Sequence, residues 1–474
     1  MLNRRAVLRT LLGSSLVMPG ILSELLSART FAAGAAAAAP EDPMAPKLSH
    51  FAPKAKRVIY CHLSGGASHV DSFDYKPKLF TDHNAPYQVP KKMLDAFAQN
   101  NRSEVKYFKR PNWEFRQHGQ SGLWISELFP RIAERADDLC LIRSMYTDNA
   151  DHAQATLGIH TGSVSFTRPS MGSWVSYGLG TENANLPGFM VIAPALPYAG
   201  AQVWSNDFLP GCHGGTLVTP GADPVPDMKR RLPDPELQQM ELGLAAQLNQ
   251  RHLAGRGADP QLAARIRSFE TAFGMQAAGP EAFDLAKETD ATHALYGLAR
   301  GGTKGFAWQC LIARRLAERG VRFIELIDTG ASGNWDAHSN MQEHEPLAKN
   351  VDQPIAALLM DLRQRGMLED TLVVLSTEFG RTPFNTAKDA KGREHHAQAF
   401  SCWLAGAGVK GGMSYGETDD YGATIVNDPV HFHDFHATIL HLLGIDHTRL
   451  TYRHAGRDYR LTDVHGEVIK GILA

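Results

Sequence analysis

Several short stretches of the chain are predominantly apolar instead of alternating: "RVIYCHL" (57–63), "LCLIRSM" (139–145), "GFMVIA" (188–193), "VRFIEL" (321–326), "TLVVLS" (371–376) and "FSCWLA" (400–405). A predominantly apolar run of this length reads as a strand covered on both faces, the signature of a mainly parallel sheet. Between these runs the period changes. "FAWQCLIARRLAERG" (306–320) carries apolar residues at helical spacing and stops at Gly320. "DQPIAALLMDLRQRGML" (352–368) leads into the fifth run, and "HDFHATILHLLG" (433–444) stops at Gly444. Strand–helix alternation of this kind predicts an α/β protein, a three-layer sandwich around a mainly parallel central sheet.

Two regions depart from the alternation. Residues 227–300 are polar, rich in Leu, Ala, Gln and Arg, and lack strand-like runs, which predicts a helical insertion in the same domain. The C-terminal "GRDYRLTDVHGEVIKGILA" reads as a hairpin turning at His465-Gly466 with a last helical turn after it. "DNADHAQATLGIHTG" (148–162) runs from a turn-prone acidic start into a helix-like segment that stops at Thr161-Gly162 and carries His152 and His160.

Composition changes the picture little. The chain has 474 residues, 43% hydrophobic and 21% charged, with a formal charge of −2. A near-neutral balance gives no electrostatic reason to expect nucleic acid. The five cysteines are odd in number, widely spaced and form no CxxC pair, so free buried thiols are expected. The N-terminus says more. Arg4-Arg5, a short apolar run and the small residues of "TFAAGAAAAAP" make an export signal of twin-arginine type over residues 1–33. The run is too short to span a bilayer as a stable helix, so no transmembrane helix is expected in the mature chain. Cleavage near Ala33 would leave an Ala/Pro-rich flexible tether over 34–54 and one domain over 55–474, in the periplasm or outside the cell. The implied partner is the twin-arginine translocation machinery.

In parallel sheets ligands gather beyond the carboxyl ends of the strands. Here those positions are rich in ionisable groups: "SGGASHVDSFD" with Ser64, Gly65, Gly66, His69 and Asp71; "YTDNADH" with Asp148, Asp151 and His152; "DTGASGNWDAHSN" with Asp328, Asp336 and His338; "TEFGRTP" with Glu378 and Arg381; and "GREHHAQ" with Arg393, Glu394, His395 and His396. Histidine and carboxylate from several strand ends are what a divalent ion of hard or borderline character requires. Asp336 and His338 equally suit an Asx-turn. Arg381 and Arg393 suit either an anionic substrate or an ion pair with Glu378 and Glu394. The histidines of "HDFHATILHLLGIDH" fall at helix-like intervals and read as packing or surface groups, as does His160.

"VIYCHLSGGASHVDSFDYKP", "TDNADHAQATLGIHTG", "RPSMGSWVSYGLGTENANLPGF", "NWDAHSN", "TEFGRTP" and "GREHHAQAFSCWLAGAGVKGG" together resemble the domain of unknown function 1501 family over roughly residues 55–474. That family is grouped with the alkaline phosphatase and sulfatase superfamily. The resemblance therefore implies an alkaline phosphatase-like α/β sandwich with a metal site at the strand ends. It also implies where this chain departs from the superfamily. The nucleophilic serine or modified cysteine lies nine places before a Thr-Gly, and here that place is His152, nine before Thr161. The first strand ends in Leu63-Ser64 where a metal-binding Asp is expected, with Asp71 the nearest carboxylate. Glu378-Phe379 stands where an Asp-His pair is expected, and His395 or His396 stands for the last histidine ligand.

The resulting expectation is one metal site drawn from His152, Asp336, His338, Glu378, His395 and His396, holding zinc, calcium or manganese. His152 is a ligand, a nucleophile or general base, or a remnant, and Arg381 and Arg393 stabilise negative charge. The function implied is an exported metal-binding hydrolase acting on a phosphate or sulfate ester, small or polymeric. The alternative is a non-catalytic binding or scaffold protein on the same fold.

Overall fold

The computed structural model describes residues 42–90, 103–228, 235–256 and 259–474. The export signal expected over 1–33 lies outside the described residues, as do the first residues of the expected tether. The remainder of that tether is docked. Met44 is buried, the Lys47 N–H donates to Leu179 O, and the Lys54 and Ala55 N–H groups donate to Leu442 O.

A nine-stranded sheet forms the middle layer. Its strands in chain order are β1 (Arg57–His62), β2 (Leu139–Tyr146), β3 (Phe189–Ile192), β4 (Thr216–Val218), β5 (Phe323–Ile327), β6 (Thr371–Ser376), β7 (Phe400–Ala405), β8 (Met413–Tyr415) and β9 (Val430–His431). The order across the sheet is β8-β2-β7-β6-β1-β5-β3-β4, with β9 also pairing β2. β1 lies parallel between β6 and β5, and β7 alone runs antiparallel to its neighbours β6 and β2. The six apolar runs are all strands of this sheet. The three strands without a counterpart among them, β4, β8 and β9, have two or three residues each.

The central strands are predominantly apolar because each of their faces is covered. Ile59, Cys61, Ile324, Leu326, Val373 and Leu375 pack on one side with α5 (Gly305–Glu318) and α6 (His344–Gln364). Val58, Tyr60, Phe323, Leu372 and Val374 pack on the other with α1 (His152–Thr161), α2 (Met171–Leu179) and α7 (Phe432–Leu442). Between β4 and α5 the described elements are helices, α3 (Pro235–Arg256), α4 (Pro260–Phe283) and a short one at Asp290–Tyr296, joined by loops. Cys61, Cys140, Cys310 and Cys402 are buried and all five cysteines are free.

One expectation is corrected. The C-terminal hairpin pairs Tyr452–His454 with Arg457–Tyr459 and turns at Ala455-Gly456, not at His465-Gly466. Ala455 and Gly456 both take positive φ, the geometry a two-residue hairpin turn demands. The last helical turn is a single 3-10 turn, Lys470–Ile472.

Candidate functional site

The parallel strands end at one edge, and their loops meet there. α1 begins at that edge: Asp151 caps it by accepting from the Ala153 N–H at 2.9 Å, which makes His152 its first residue. The loop after β1 turns through Gly65 at φ +115°, where a Cβ would stand 2.7–2.8 Å from Trp335 N, Asn334 Oδ1 and Asp336 N. Glycine there lets the loop after β1 lie against the loop after β5, bringing "NWDAH" to the strand ends.

Three imidazoles converge on one carboxylate. Asp336 Oδ1 lies 3.2 Å from His152 Nε2, 2.9 Å from His338 Nε2 and 3.2 Å from His395 Nε2. His338 Nε2 and His395 Nε2 are 2.9 Å apart. In each imidazole the other nitrogen is held by a separate acceptor: His152 Nδ1 by Glu378 Oε1 at 2.7 Å, His395 Nδ1 by Ala150 O at 2.7 Å and His338 Nδ1 by Glu394 Oε2 at 3.1 Å. An imidazole that donates from Nδ1 to a fixed acceptor keeps its Nε2 lone pair free, the arrangement in which histidines bind metals. His152 Nε2 is buried with no hydrogen-bond partner, although Asp336 stands before it. Ligand atoms of His152, Asp336 and His395 all fall within 4.8 Å of one another, the one such group among the described residues. Four ligands about a tetrahedral ion at 2.0–2.1 Å are spaced about 3.3 Å apart, close to the distances here. The donor set fits a borderline divalent ion.

The electrostatics keep both carboxylates ionised and favour protons on His152 and His338, which a cation would have to displace. Burial opposes charge on Asp336, but the three imidazoles and the Arg381 guanidinium around it hold its carboxyl well below the usual range. Burial likewise opposes charge on Glu378, but the hydrogen bond from His152 together with the charges of His62 and His152 outweighs it, leaving Glu378 at about 2. His152 is desolvated, which favours the neutral ring, yet Asp336 and Glu378 together raise its pKa. Hydrogen bonds to Asp336 and Glu394 raise His338 to about 9. His395 is lowered by burial, with Asp336 opposing and Arg381 adding to the shift.

The remaining expected residues lie elsewhere. Glu378 is fully buried behind His152, accepting from the Gly65 N–H at 2.9 Å, so it holds the His152 ring from behind instead of joining the cluster. His396 faces away from His395, because successive strand residues alternate, and its ring lies 5.7 Å from that of His69. Neither arginine is open to solvent or paired with a glutamate. Arg381 donates to Asp336 Oδ1 at 2.6 Å and to Gly66 O at 2.9 Å, fixing the carboxylate from within. Arg393 pairs with fully buried Asp71 at 2.6 Å and donates to Thr382 O and Lys109 O, both at 3.1 Å. Asp328 accepts from the Trp335 indole N–H at 2.6 Å and the Ser64 N–H at 3.0 Å, and burial raises it to about 6. Asp148 lies 3.2 Å from His431.

Sequence reasoning missed Tyr198 and Asn334, which flank the cluster, and the buried contact of His160 Nε2 with Glu325 Oε1 at 2.6 Å. A glutamate inside the apolar run "VRFIEL" was the available signal for the last of these.

No curated protein matches the chain. Among solved structures the chain is similar to Ps i-CgsB at 14% identity, covering 67% of this chain and 66% of that one, with a TM-score of 0.34; it thus spans about two thirds of that protein's length. It is similar to the PsFucS1 sulfatase from Pseudoalteromonas sp. at 12% identity, covering 82% of this chain and 68% of that one, with a TM-score of 0.34. It is similar to the alkaline phosphatase from the Antarctic bacterium TAB5 at 10% identity, covering 77% of this chain and 94% of that one, with a TM-score of 0.29. Residues 55–473 match the family described as "Protein of unknown function (DUF1501)", and the chain belongs to that family.

Proposed function

We propose that this chain is an exported metal-dependent hydrolase of phosphate or sulfate esters, with a divalent ion held by His152, Asp336 and His395 and joined by His338. The observation that carries the metal reading is three imidazoles, each tied down through Nδ1 and each turning Nε2 toward one carboxylate oxygen. An oxygen has too few lone pairs to accept from three imidazoles and Arg381 at once, so a bound cation is what would use the surplus nitrogen lone pairs. Three nitrogens and one oxygen favour zinc or manganese over calcium, which takes oxygen ligands. Such an ion would polarise an ester oxygen and lower the pKa of attacking water.

The chain's own residues do the rest. Glu378 holds the His152 ring, Arg381 pins Asp336, and His338, 39% exposed, stands at the mouth with Glu394 behind it. With Nδ1 held by Glu378, His152 has one nitrogen left, so ligation and nucleophilic attack are mutually exclusive uses of it. The anionic ester class follows from the motif resemblance, and export from the twin-arginine N-terminus. Among the described residues no helix is long and apolar enough to cross a membrane.

A binding protein on the same scaffold is the second reading. It is favoured by the imidazole at position 152, where a hydroxyl or thiol nucleophile would stand, and by the burial of both guanidiniums. The two readings separate in sequence. Metal content of wild type and His395→Ala, purified from a twin-arginine-competent host, is measured first: stoichiometric metal in the first and none in the second is expected. Metal-free, folded wild type would end the metal reading. Turnover of aryl phosphates or sulfates by the loaded protein then supports the hydrolase, and metal without turnover across the panel supports the binding protein.

A further inference from the structure

The metal reading leaves unexplained how two candidate ligands from different parts of the chain are kept in mutual register. A hydrogen bond at Nδ1 fixes the direction of the His152 ring but permits it to roll about that bond. Something must also hold the ring plane. Asp336 lies in a loop with no regular structure around it, and its backbone needs an anchor of its own.

Both anchors trace to one residue of a neighbouring loop. β3 pairs parallel with β5, Met190 opposite Ile324, so the loop after β3 (193–200) rises beside the loop after β5 (328–338). The Ala331 N–H donates to Leu196 O at 3.0 Å. Gly330 makes the contact achievable: a Cβ there would come within 2.7 Å of the Ala195 Cβ and 2.9 Å of Leu196 O. Tyr198, carried on this loop, lies parallel to the His152 ring, with centroids 4.1 Å apart and planes 8° apart. Buried Phe379 contacts the same imidazole at 4.7 Å. The Tyr198 hydroxyl accepts from Asn334 Nδ2 at 3.1 Å, the same Nδ2 donates to Gly330 O at 2.9 Å, and Asn334 Oδ1 accepts from the Asp336 N–H at 3.1 Å. One tyrosine therefore touches the first imidazole with its face and, through one amide, the backbone of the carboxylate ligand with its hydroxyl.

We infer that Tyr198 and Asn334 are positioning residues that clamp His152 and Asp336 into a common coordination geometry. The inference rests on the metal reading above. Stacking restricts rotation of the His152 ring, while the amide bridge couples that restriction to the loop holding Asp336. Partners that orient ligands without touching the metal typically change metal affinity 10–100-fold. An aromatic pair with no role at the site would leave metal binding and its spectrum alone.

The test uses Co(II), whose visible absorption reports ligand number and geometry, on full-length wild type, Tyr198→Leu, Tyr198→Phe and Asn334→Ser. Tyr198→Leu removes both ring and hydroxyl and is expected to weaken Co(II) binding roughly 10-fold or more, with an altered absorption envelope. Tyr198→Phe keeps the ring and breaks the bridge, so it should lose less affinity while still shifting the spectrum, and Asn334→Ser should shift it in the same sense. A folded Tyr198→Leu with wild-type affinity and spectrum overturns the inference. Where the leucine variant does not fold, a Tyr198→Phe protein spectrally identical to wild type overturns it instead. Wild type that takes up no Co(II) overturns the metal reading itself, and the clamp with it.

Discussion

Two carboxylate centres lie near each other at the strand ends and are built on opposite plans. Asp71 and Arg393 are both fully buried, and their polar atoms are matched. The carboxylate accepts from Arg393 Nε and Ser68 Oγ, each at 2.6 Å, and from the Asn112 N–H at 3.2 Å; the guanidinium also donates to three backbone carbonyls. Asp336 is 26% exposed, and a single one of its oxygens faces four nitrogens within 3.2 Å. A satisfied buried ion pair fastens a loop and offers nothing to a ligand. An oversubscribed oxygen ringed by anchored imidazoles, open on one side, is a binding geometry. Each centre pairs an aspartate with a buried arginine, so it is hydrogen-bond completeness and the added imidazoles that separate the two.

The largest expected effect falls on the scaffold. Arg393→Met leaves the Asp71 charge buried and unpaired and should cost about 3–5 kcal/mol of unfolding free energy, read by urea denaturation. His395→Ala should do the reverse: stability within about 1 kcal/mol of wild type and loss of stoichiometric metal, measured by elemental analysis and unfolding on the same preparation. Equal destabilisation by both substitutions would erase the distinction.

A smaller effect probes the carboxylate behind His152. Glu378→Gln keeps the side-chain shape but removes the charge that holds His152 Nδ1, so metal affinity should fall roughly 10–100-fold while the site still fills at high metal concentration. A titration indistinguishable from wild type would mean that Glu378 does not orient the ligand.

Most of the scaffold was legible because both-face burial writes itself as predominantly apolar runs. The start of α1 was legible because Asp151 caps it and Gly162 stops it in the left-handed region, at φ +73°. The short edge strands were not, since two or three residues carry no period. At the site, the collection of His152, Asp336, His338 and His395 at one edge follows from strand order, but which groups face it does not. A side chain's partner depends on loop paths such as the turn at Gly65, which is why Arg381 and Arg393 read as substrate-binding and turned out to be internal struts. The period of two along a strand could have set His396 against His395 in advance. Tyr198 and Asn334 carry no spacing signature, because their role comes from two loops meeting.

The most delicate prediction concerns pH, and it pits the centres against each other between pH 6.5 and 9. His338 is raised to about 9 in the folded protein by Asp336 and Glu394, against a usual 6.5. A raised folded-state pKa contributes stability that is complete below 6.5 and disappears as pH rises through 9. The metal-free protein should therefore lose thermal stability across this window. Around Asp71, burial keeps His69 at about 4 and His344 at about 3, so both are neutral in the folded protein throughout. Burial also lowers Lys109 to about 8, which gives that centre a slope of opposite sign, stability rising with pH. The His338 loss is therefore read as the difference between wild type and His338→Asn. Metal binding must also oppose the His338 trend. Zinc takes neutral imidazoles, and every proton held by His338 and His152 opposes it, so the stabilisation added by zinc should grow over the interval in which the metal-free protein weakens. Melting curves at matched ionic strength, with and without zinc, read both trends at once. His338→Asn should flatten the metal-free trend, whereas an unchanged slope in that variant would show that the titration belongs to another group and that the Asp336 cluster does not set the protein's response to alkali.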